Sequence, residues 1–383
     1  MNKSTVAFLI SSFRAGGGEK QMVEIANALA KQGHRVDLLV LKPVGSLAEK
    51  VHNKIRVVSL DAGRIALSLF PLIMYLWREK PATLLALDEY SHLLSLLARM
   101  LSGVKTHIVL RIGNMLTELF MRYEGKSRLM PFLVRRLYKK ADGIIANSKG
   151  VADDVLAVTG ILRDRISVIH NPKFINHILA LAAEPVTHAW LVQKTVPVVI
   201  AVGRLRIQKN FSLLIRAFAT VSKNLPSRLI IVGGGREEPR LKALIQELRC
   251  EESVSLLGYA DNPYAYMSKA DIFASASLWE GMPNSLLEAI VCGLPVIASD
   301  CSSGPREILA PDTDYKKRLS RGVEQAKYGV LTAVNDEGAL VEALRLFLGD
   351  EKLRTRYSEA AKERSKDFDS EKIMSEYKRV LGL

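Results

Sequence analysis

Residues Glu280 to Glu288 read Glu-Gly-Met-Pro-Asn-Ser-Leu-Leu-Glu. Two carboxylates stand eight positions apart, separated by a glycine, a proline and the start of an apolar helix. Pro283 suits a first helical turn, and Gly293 suits the residue past the helix end. A helix N-terminus carries unpaired N–H groups and a partial positive charge, so amides near Asn284 and Ser285 are placed to meet phosphate or sugar oxygens. Gly281 and Met282 lie on the approach to that end. Glu280 falls in the preceding loop. Glu288 lies about two helical turns further on, where its carboxylate can accept from ribose hydroxyls. Ser285-x-x-Glu288 also reads as a capping box, in which Glu288 would serve the helix itself.

A second constellation is Gly203-Arg204-Leu205-Arg206-Ile207-Gln208-Lys209-Asn210, directly after the apolar run Val198–Val202. A diphosphate gains negative charge as a glycosidic bond breaks. A guanidinium fork from Arg204 and an ammonium from Lys209 can neutralise that charge without a metal. A solvated basic loop is the plainer alternative, and the position at a strand's carboxyl end argues against it. Gly233-Gly234-Gly235 and Gly258-Tyr259 each follow a strand-like run. They suit backbone contacts to a base or ribose, at Gly234 and Tyr259, although turn glycines are common. Gly16-Gly17-Gly18 follows the first apolar run and opens a helix. Gly17 and Gly18 let a phosphate approach the backbone, but neither a dinucleotide fingerprint nor a P-loop is completed.

The elements that must position these residues are those of an α/β protein. Short apolar runs alternate with longer amphipathic ones. Strands are expected at 6–10, 36–41, 83–87, 106–110, 143–146 and 166–169, then at 198–202, 229–232, 254–257, 272–274 and 296–298. The runs do not alternate in polarity, as in parallel sheets covered on both faces. The pattern pauses between Asn171-Pro172-Lys173 and Val198, where a linker is expected. A chain of 383 residues exceeds one ordinary core, so two doubly wound Rossmann-like domains are expected, with ligands at the carboxyl ends of their strands. The limits are 1–180, 181–369 and a terminal helical stretch 370–383.

Net charge is +14, and it is uneven. Residues 1–178 hold 26 Lys and Arg against 14 Asp and Glu, whereas residues 179–383 hold 28 against 26. The basic first half implies an anionic contact. Arg122, Lys126, Arg128, Arg135, Arg136, Lys139 and Lys140 are interleaved with apolar residues, which suits either an anionic leaflet or a solvated basic face. No nucleic-acid motif accompanies them, so no nucleic-acid partner is expected. The longest apolar run, around Ile65 to Trp77, is too short to span a bilayer. The N-terminus reads as a first strand and not as a signal peptide. Three cysteines without ligand spacing suggest reduced thiols in the cytoplasm and no metal site.

Taken together, the chain resembles a family 4 glycosyltransferase of the GT-B fold, in which two Rossmann-like domains face a cleft. The resemblance rests on Val202-Gly203-Arg204-Leu205 with Lys209-Asn210, Ile231 to Gly235, Glu280 to Glu288, Gly293 to Ile297 and Ser303 to Leu309. Asn147-Ser148-Lys149 and Ile169 to Pro172 fit the same pattern. It implies that Arg204 and Lys209 hold a donor diphosphate, that Glu288 binds the ribose, and that Glu280 lies near the donor sugar. The loop Gly16–Gly18 would close over the phosphates. It further implies a retaining, metal-independent reaction with a nucleotide sugar as co-substrate, and a last helix that returns to the first domain. Many relatives carry a histidine after the strand that here is 106–110. This chain reads Leu110-Arg111-Ile112-Gly113-Asn114, which makes Arg111 and Asn114 the acceptor-side candidates and leaves His107 a structural residue.

The expected activity is transfer of a hexose or N-acetylhexosamine from a UDP-sugar to a lipid-linked glycan at the inner face of the cytoplasmic membrane. GDP-mannose is the alternative donor, and a non-catalytic nucleotide- or sugar-binding protein is the alternative class. A dehydrogenase is disfavoured by the missing dinucleotide fingerprint.

Overall fold

A computed structural model describes residues 5–14, 16–121 and 128–383. The chain divides into two compact units, Met1–Pro172 with Glu371–Leu383, and Lys173–Ser370. The first crossing lies eight residues before the expected boundary at 180. Residues 175–182 form a helix that packs on helices of the second unit, so they leave the linker.

The first unit is built on seven strands: β1 (Val6–Ser12), β2 (Val36–Lys42), β3 (Arg56–Ser59), β4 (Thr83–Ala86), β5 (His107–Ile112), β6 (Gly143–Ala146) and β7 (Ile166–Val168). Their order is β3-β2-β1-β4-β5-β6-β7, and every pairing is parallel. Helices α1 (Gly17–Lys31), α2 (Leu69–Glu79), α3 (Glu89–Ser102), α4 (Leu116–Phe120), α5 (Met130–Leu137) and α6 (Lys149–Thr159) complete the crossovers. Leu72 and Leu76 of α2, Leu93 of α3, Val134 of α5 and Val151 of α6 share one core with Leu84, Ile108 and Ile144. Covering of both sheet faces is why these strands read as continuous apolar runs.

Helix α2 carries the long apolar run. Leu72, Tyr75 and Leu76 face the core, whereas Leu67, Phe70 and Trp77 are 58%, 69% and 60% exposed. Among the described residues no helix is long and apolar enough to cross a membrane.

The second unit repeats the plan. It holds β8 (Val198–Val202), β9 (Arg228–Val232), β10 (Val254–Gly258), β11 (Ile272–Ser275), β12 (Val296–Ser299), β13 (Val323–Ala326) and β14 (Gly329–Thr332). The order is β10-β9-β8-β11-β12-β14-β13, with β13 antiparallel to its neighbour. Helices α7 (Ile175–Ala182), α8 (Ala189–Val192), α9 (Phe211–Ser222), α10 (Glu238–Glu247), α11 (Pro263–Met267), α12 (Asn284–Val291), α13 (Pro305–Leu309), α14 (Glu337–Gly349) and α15 (Glu351–Ser365) surround it. Winding reverses between β8 and β11. Ligands of such sheets bind at that switch point, outside the carboxyl ends of the strands.

The last helix, α16 (Ser370–Leu381), belongs to the first unit from Glu371 onward. Thr83 donates to the Leu381 carbonyl at 2.9 Å. Ile373, Met374, Tyr377 and Leu381 are buried, which gives this helix an apolar stripe at i, i+1, i+4 and i+8.

Candidate functional site

The residues singled out in the second unit gather on the carboxyl edge of its sheet. β8 delivers Gly203 and Arg204, and a single 3-10 turn, Ile207–Lys209, leads into α9. β11 delivers the loop that ends in Glu280. These two loops are tied together. Gln208 donates to the Trp279 carbonyl at 2.8 Å, and the Leu278 N–H donates to the Gln208 carbonyl at 2.8 Å. Lys209 Nζ makes an ion pair with Glu280 Oε1, and both side chains are largely enclosed. Two of the expected site charges thus meet directly across the switch point, and Arg204 stands exposed beside them.

Backbone contacts hold the glycine turns. Gly233 N–H donates to the Gly258 carbonyl at 2.7 Å, and Leu205 N–H donates to the Gly234 carbonyl at 3.0 Å. A Cβ on Gly233 would stand 1.9 Å from the Gly203 oxygen, and one on Gly235 would stand 2.3 Å from the Leu205 oxygen. Those two glycines are needed for packing between loops. Gly234 differs, because a Cβ there meets nothing within 4 Å. Tyr259 follows Gly258 and is 61% exposed.

Helix α12 begins at Asn284, with Pro283 at the cap position and no side-chain cap bond. Glu288 is therefore one turn inside the helix, and the capping-box alternative falls away. Its Oε1 accepts from Tyr264 Oη at 3.1 Å and lies 3.8 Å from Lys173 Nζ. Lys173 Nζ also donates to Asn284 Oδ1 at 2.7 Å. Lys173 and Tyr264 were not among the residues expected from sequence. Lys173 and Asn284 are 111 positions apart, and only the fold brings them together. The loop into α12 is clasped from β12: Ser303 Oγ donates to the Gly281 carbonyl at 3.0 Å. Met282 is buried and Ser285 lies on the first turn.

Behind this clasp is a closed ionic cluster. Arg306 is 2% exposed, donates from Nη2 to Asp300 at 2.7 Å and to Glu324 at 2.9 Å, and its Nε also reaches Asp300. Burial pushes the Cys292 thiol up to about 12, with Glu288 adding to the shift, and it raises Cys301 further still. All three cysteines are unpaired by disulfides, and these two thiols stay protonated near neutrality. Among the described residues no group of three or more His, Cys, Asp or Glu is arranged to hold a metal ion.

The first-unit expectations need correcting in two places. Arg111 is not a surface residue of a loop. The strand runs two residues further than expected, to Ile112, and buries Arg111 to 2% exposure. Its Nε donates to Tyr377 Oη at 3.1 Å and its Nη2 to Asn171 Oδ1 at 2.7 Å. Arg111 fastens the last helix to the sheet and is closed to an acceptor. Asn114 is exposed. Gly17 and Gly18 form the first turn of α1 and not a free loop, and a Cβ on Gly18 would meet Leu87 at 3.3 Å. His107 sits exposed at the amino end of β5, away from the ligand edge. Arg122 and Lys126 lie outside the described residues. Of the basic stretch that remains, α5 buries Met130 and Val134 and exposes Leu129 and Phe132 at 66% and 62%.

The sequence matches the family model for group 1 glycosyl transferases over residues 187–364 and that for glycosyltransferase family 4 over residues 15–172. It is 36% identical, over 76% of its length and 73% of the relative's, to the N-acetylgalactosamine-N,N'-diacetylbacillosaminyl-diphospho-undecaprenol 4-alpha-N-acetylgalactosaminyltransferase of Campylobacter jejuni. The chain belongs to glycosyltransferase family 4. A second C. jejuni relative, 24% identical over 98% of both chains, is an alpha-1,4-N-acetyl-D-galactosaminyltransferase named for a diNAcBac-PP-undecaprenol-linked substrate. The fold of the transferase is GT-B: the crystal structure of Anabaena HepE with UDP-glucose superposes with a TM-score of 0.79, at 21% identity and 99% coverage of both chains.

Within the transferase, the carboxyl edge of the second sheet gathers groups able to meet an anionic ligand. It has an exposed guanidinium, an ammonium held by a carboxylate, the amide end of α12 and one glycine with open space before it. Glu288 is held by side chains from other elements, Tyr264 and Lys173, and this suits a carboxylate that accepts hydrogen bonds from hydroxyls in one geometry.

Proposed function

We propose that this transferase moves a hexose or N-acetylhexosamine from a UDP-sugar to a glycan carried on a lipid diphosphate. We propose retention of anomeric configuration and no metal requirement. The observation that carries the reading is the Lys209–Glu280 ion pair beside Arg204 at the switch point, with α12 directly following. Arg204 and Lys209 would take the charge of the departing diphosphate, and the amides of Asn284 and Ser285 would add to it. Glu280 would meet donor sugar hydroxyls, and Glu288 the ribose. The acceptor oxygen forms the new bond to the anomeric carbon as the carbon–oxygen bond to the diphosphate breaks. The acceptor proton passes to the leaving phosphate oxygen.

Two relatives whose names specify undecaprenol-linked acceptors support the lipid-linked substrate. The same acceptor class supports work at a membrane surface, at its cytoplasmic face. The cationic side chains Arg128, Arg135, Arg136, Lys139 and Lys140 lie beside exposed Leu129 and Phe132, and α2 adds exposed Phe70 and Trp77. Such a surface attracts anionic lipid and can seat apolar side chains in the interface. Sedimentation with anionic liposomes at low salt, and release at high salt, is the expected behaviour. Equal binding to neutral liposomes contradicts the electrostatic part.

Thermal-shift screening against UDP-, GDP-, ADP- and TDP-sugars tests the donor, because binding to the native state raises the melting point. Stabilisation by a UDP-sugar alone is expected. Arg204→Ala and Lys209→Ala should each lower turnover by about 100-fold or more. Wild-type rates from both variants refute their role.

A further inference from the structure

The donor reading assigns Glu288 to the ribose, and the inference here rests on that reading. Lys173 is the first residue of the second unit, and its side chain is 3% exposed. A buried ammonium needs a compensating partner, because desolvation of the charge is costly. Two of its partners lie on one face of α12, Asn284 and Glu288, spaced i and i+4. Nζ donates to Asn284 Oδ1 at 2.7 Å and stands 3.8 Å from Glu288 Oε1. The backbone of Lys173 is also fixed. Its N–H donates to the Phe368 carbonyl at 2.7 Å, and its carbonyl accepts from Ser370 N–H at 2.9 Å.

We propose that Lys173 is a positioning residue for donor binding: anchored by its backbone, it holds Asn284 and Glu288 of α12 in the arrangement that receives the nucleotide ribose. An ionised carboxylate is acceptor-only, as two ribose hydroxyls require. A locked side chain loses less freedom when the ligand arrives. Tyr264 supports the same oxygen of Glu288 from α11, at 3.1 Å. Lys173 itself touches no reacting atom.

The test is a double-mutant cycle in the full-length enzyme, with UDP affinity by calorimetry and donor kinetics as readouts. Lys173→Met should raise the donor KM and weaken UDP binding by about tenfold while kcat changes by less than about threefold. Glu288→Gln should show a similar loss. The double variant should be no worse than Glu288→Gln alone, because Lys173 acts through that carboxylate. Unchanged donor KM in folded Lys173→Met overturns the proposal, and so does a multiplied loss of about 100-fold in the double variant. If Lys173→Met fails to fold, the double variant, which removes both buried charges, is compared with Glu288→Gln: equal affinity supports the proposal and a further tenfold loss overturns it. Wild-type UDP affinity in Glu288→Gln overturns the ribose assignment itself, and the proposal with it.

Discussion

Replacing Gly234 by alanine should raise the stability of the free enzyme and weaken its donor complex. An added Cβ meets no atom within 4 Å, and the residue is not in the left-handed region. Alanine at such a position stabilises by about 0.4 to 1 kcal/mol, chiefly by restricting the unfolded chain. For a unit of this size that is a rise of roughly 1 to 3 °C. The same methyl fills space that a diphosphate or base would use to approach the backbone. Loss of one hydrogen bond costs about 1 to 1.5 kcal/mol, or roughly tenfold in donor KM. Melting curves with and without UDP, alongside initial rates over a donor series, measure both effects on one sample. Gly235→Ala is the matched control. Its Cβ would stand 2.3 Å from the Leu205 carbonyl oxygen, so the two loops must move apart by roughly 0.7 Å to reach 3.0 Å, and stability should fall whether or not ligand is present. A Gly234→Ala enzyme with unchanged donor KM refutes the placement of the donor on this turn.

Three other perturbations probe different parts of the molecule. Glu280→Gln frees Lys209 from its carboxylate, so UDP should bind more tightly while kcat falls by about 100-fold; parallel loss of both contradicts a competition between Glu280 and diphosphate for the ammonium. Arg111→Met removes two buried donors, which should cost about 2 kcal/mol and speed amide exchange selectively in α16; uniform exchange across the first unit argues against the fastening role. Burial, with Asp88 beside it, pushes the Glu89 carboxyl up to about 7 from an ordinary 4.5. Its folded pKa is raised, so ionisation is disfavoured by folding. Stability should decline as pH rises from about 4.5 to 7, and Glu89→Gln should flatten that decline in melting curves.

Much of this was legible because parallel strands must be apolar throughout. β1, β2, β6, β8 and β12 stand out as short, mainly apolar runs, and the residues just after β8 and β11 fall on one edge of such a sheet. Three strands were missed: β14 is buried throughout but offers only Val330 and Leu331 as an apolar pair, whereas β3 and β13 break that rule for a physical reason. β3 is an edge strand whose residues are mostly exposed, so Arg56–Ser59 carries no apolar run. β13 reads Val-Glu-Gln-Ala, pairs antiparallel at the other edge, and is held partly through Arg306 bonding to Glu324. Arg111 was misread because nothing local shows that a cation can lie inside a strand. Tyr377 supplies the partner from 266 positions away.

The Lys209–Glu280 pair changes the meaning of the opening motif. Taken separately, one residue is a cation for phosphate and the other an acid near a sugar. Joined, they form a neutral unit that costs less to enclose than either charge would alone when no donor is present. On the proposed reading, an arriving diphosphate would bring about two negative charges to an edge where Arg204 is exposed, and it would compete with Glu280 for the ammonium. Released from Lys209, the carboxylate needs new donors, and the hydroxyls of a hexose are suitable ones. Binding of the diphosphate and of the sugar would then be coupled through one exchange of partners. A free nucleotide lacking the sugar leaves Glu280 without that compensation and should bind less well than the intact donor, by about the worth of one charge-assisted hydrogen bond, or tenfold.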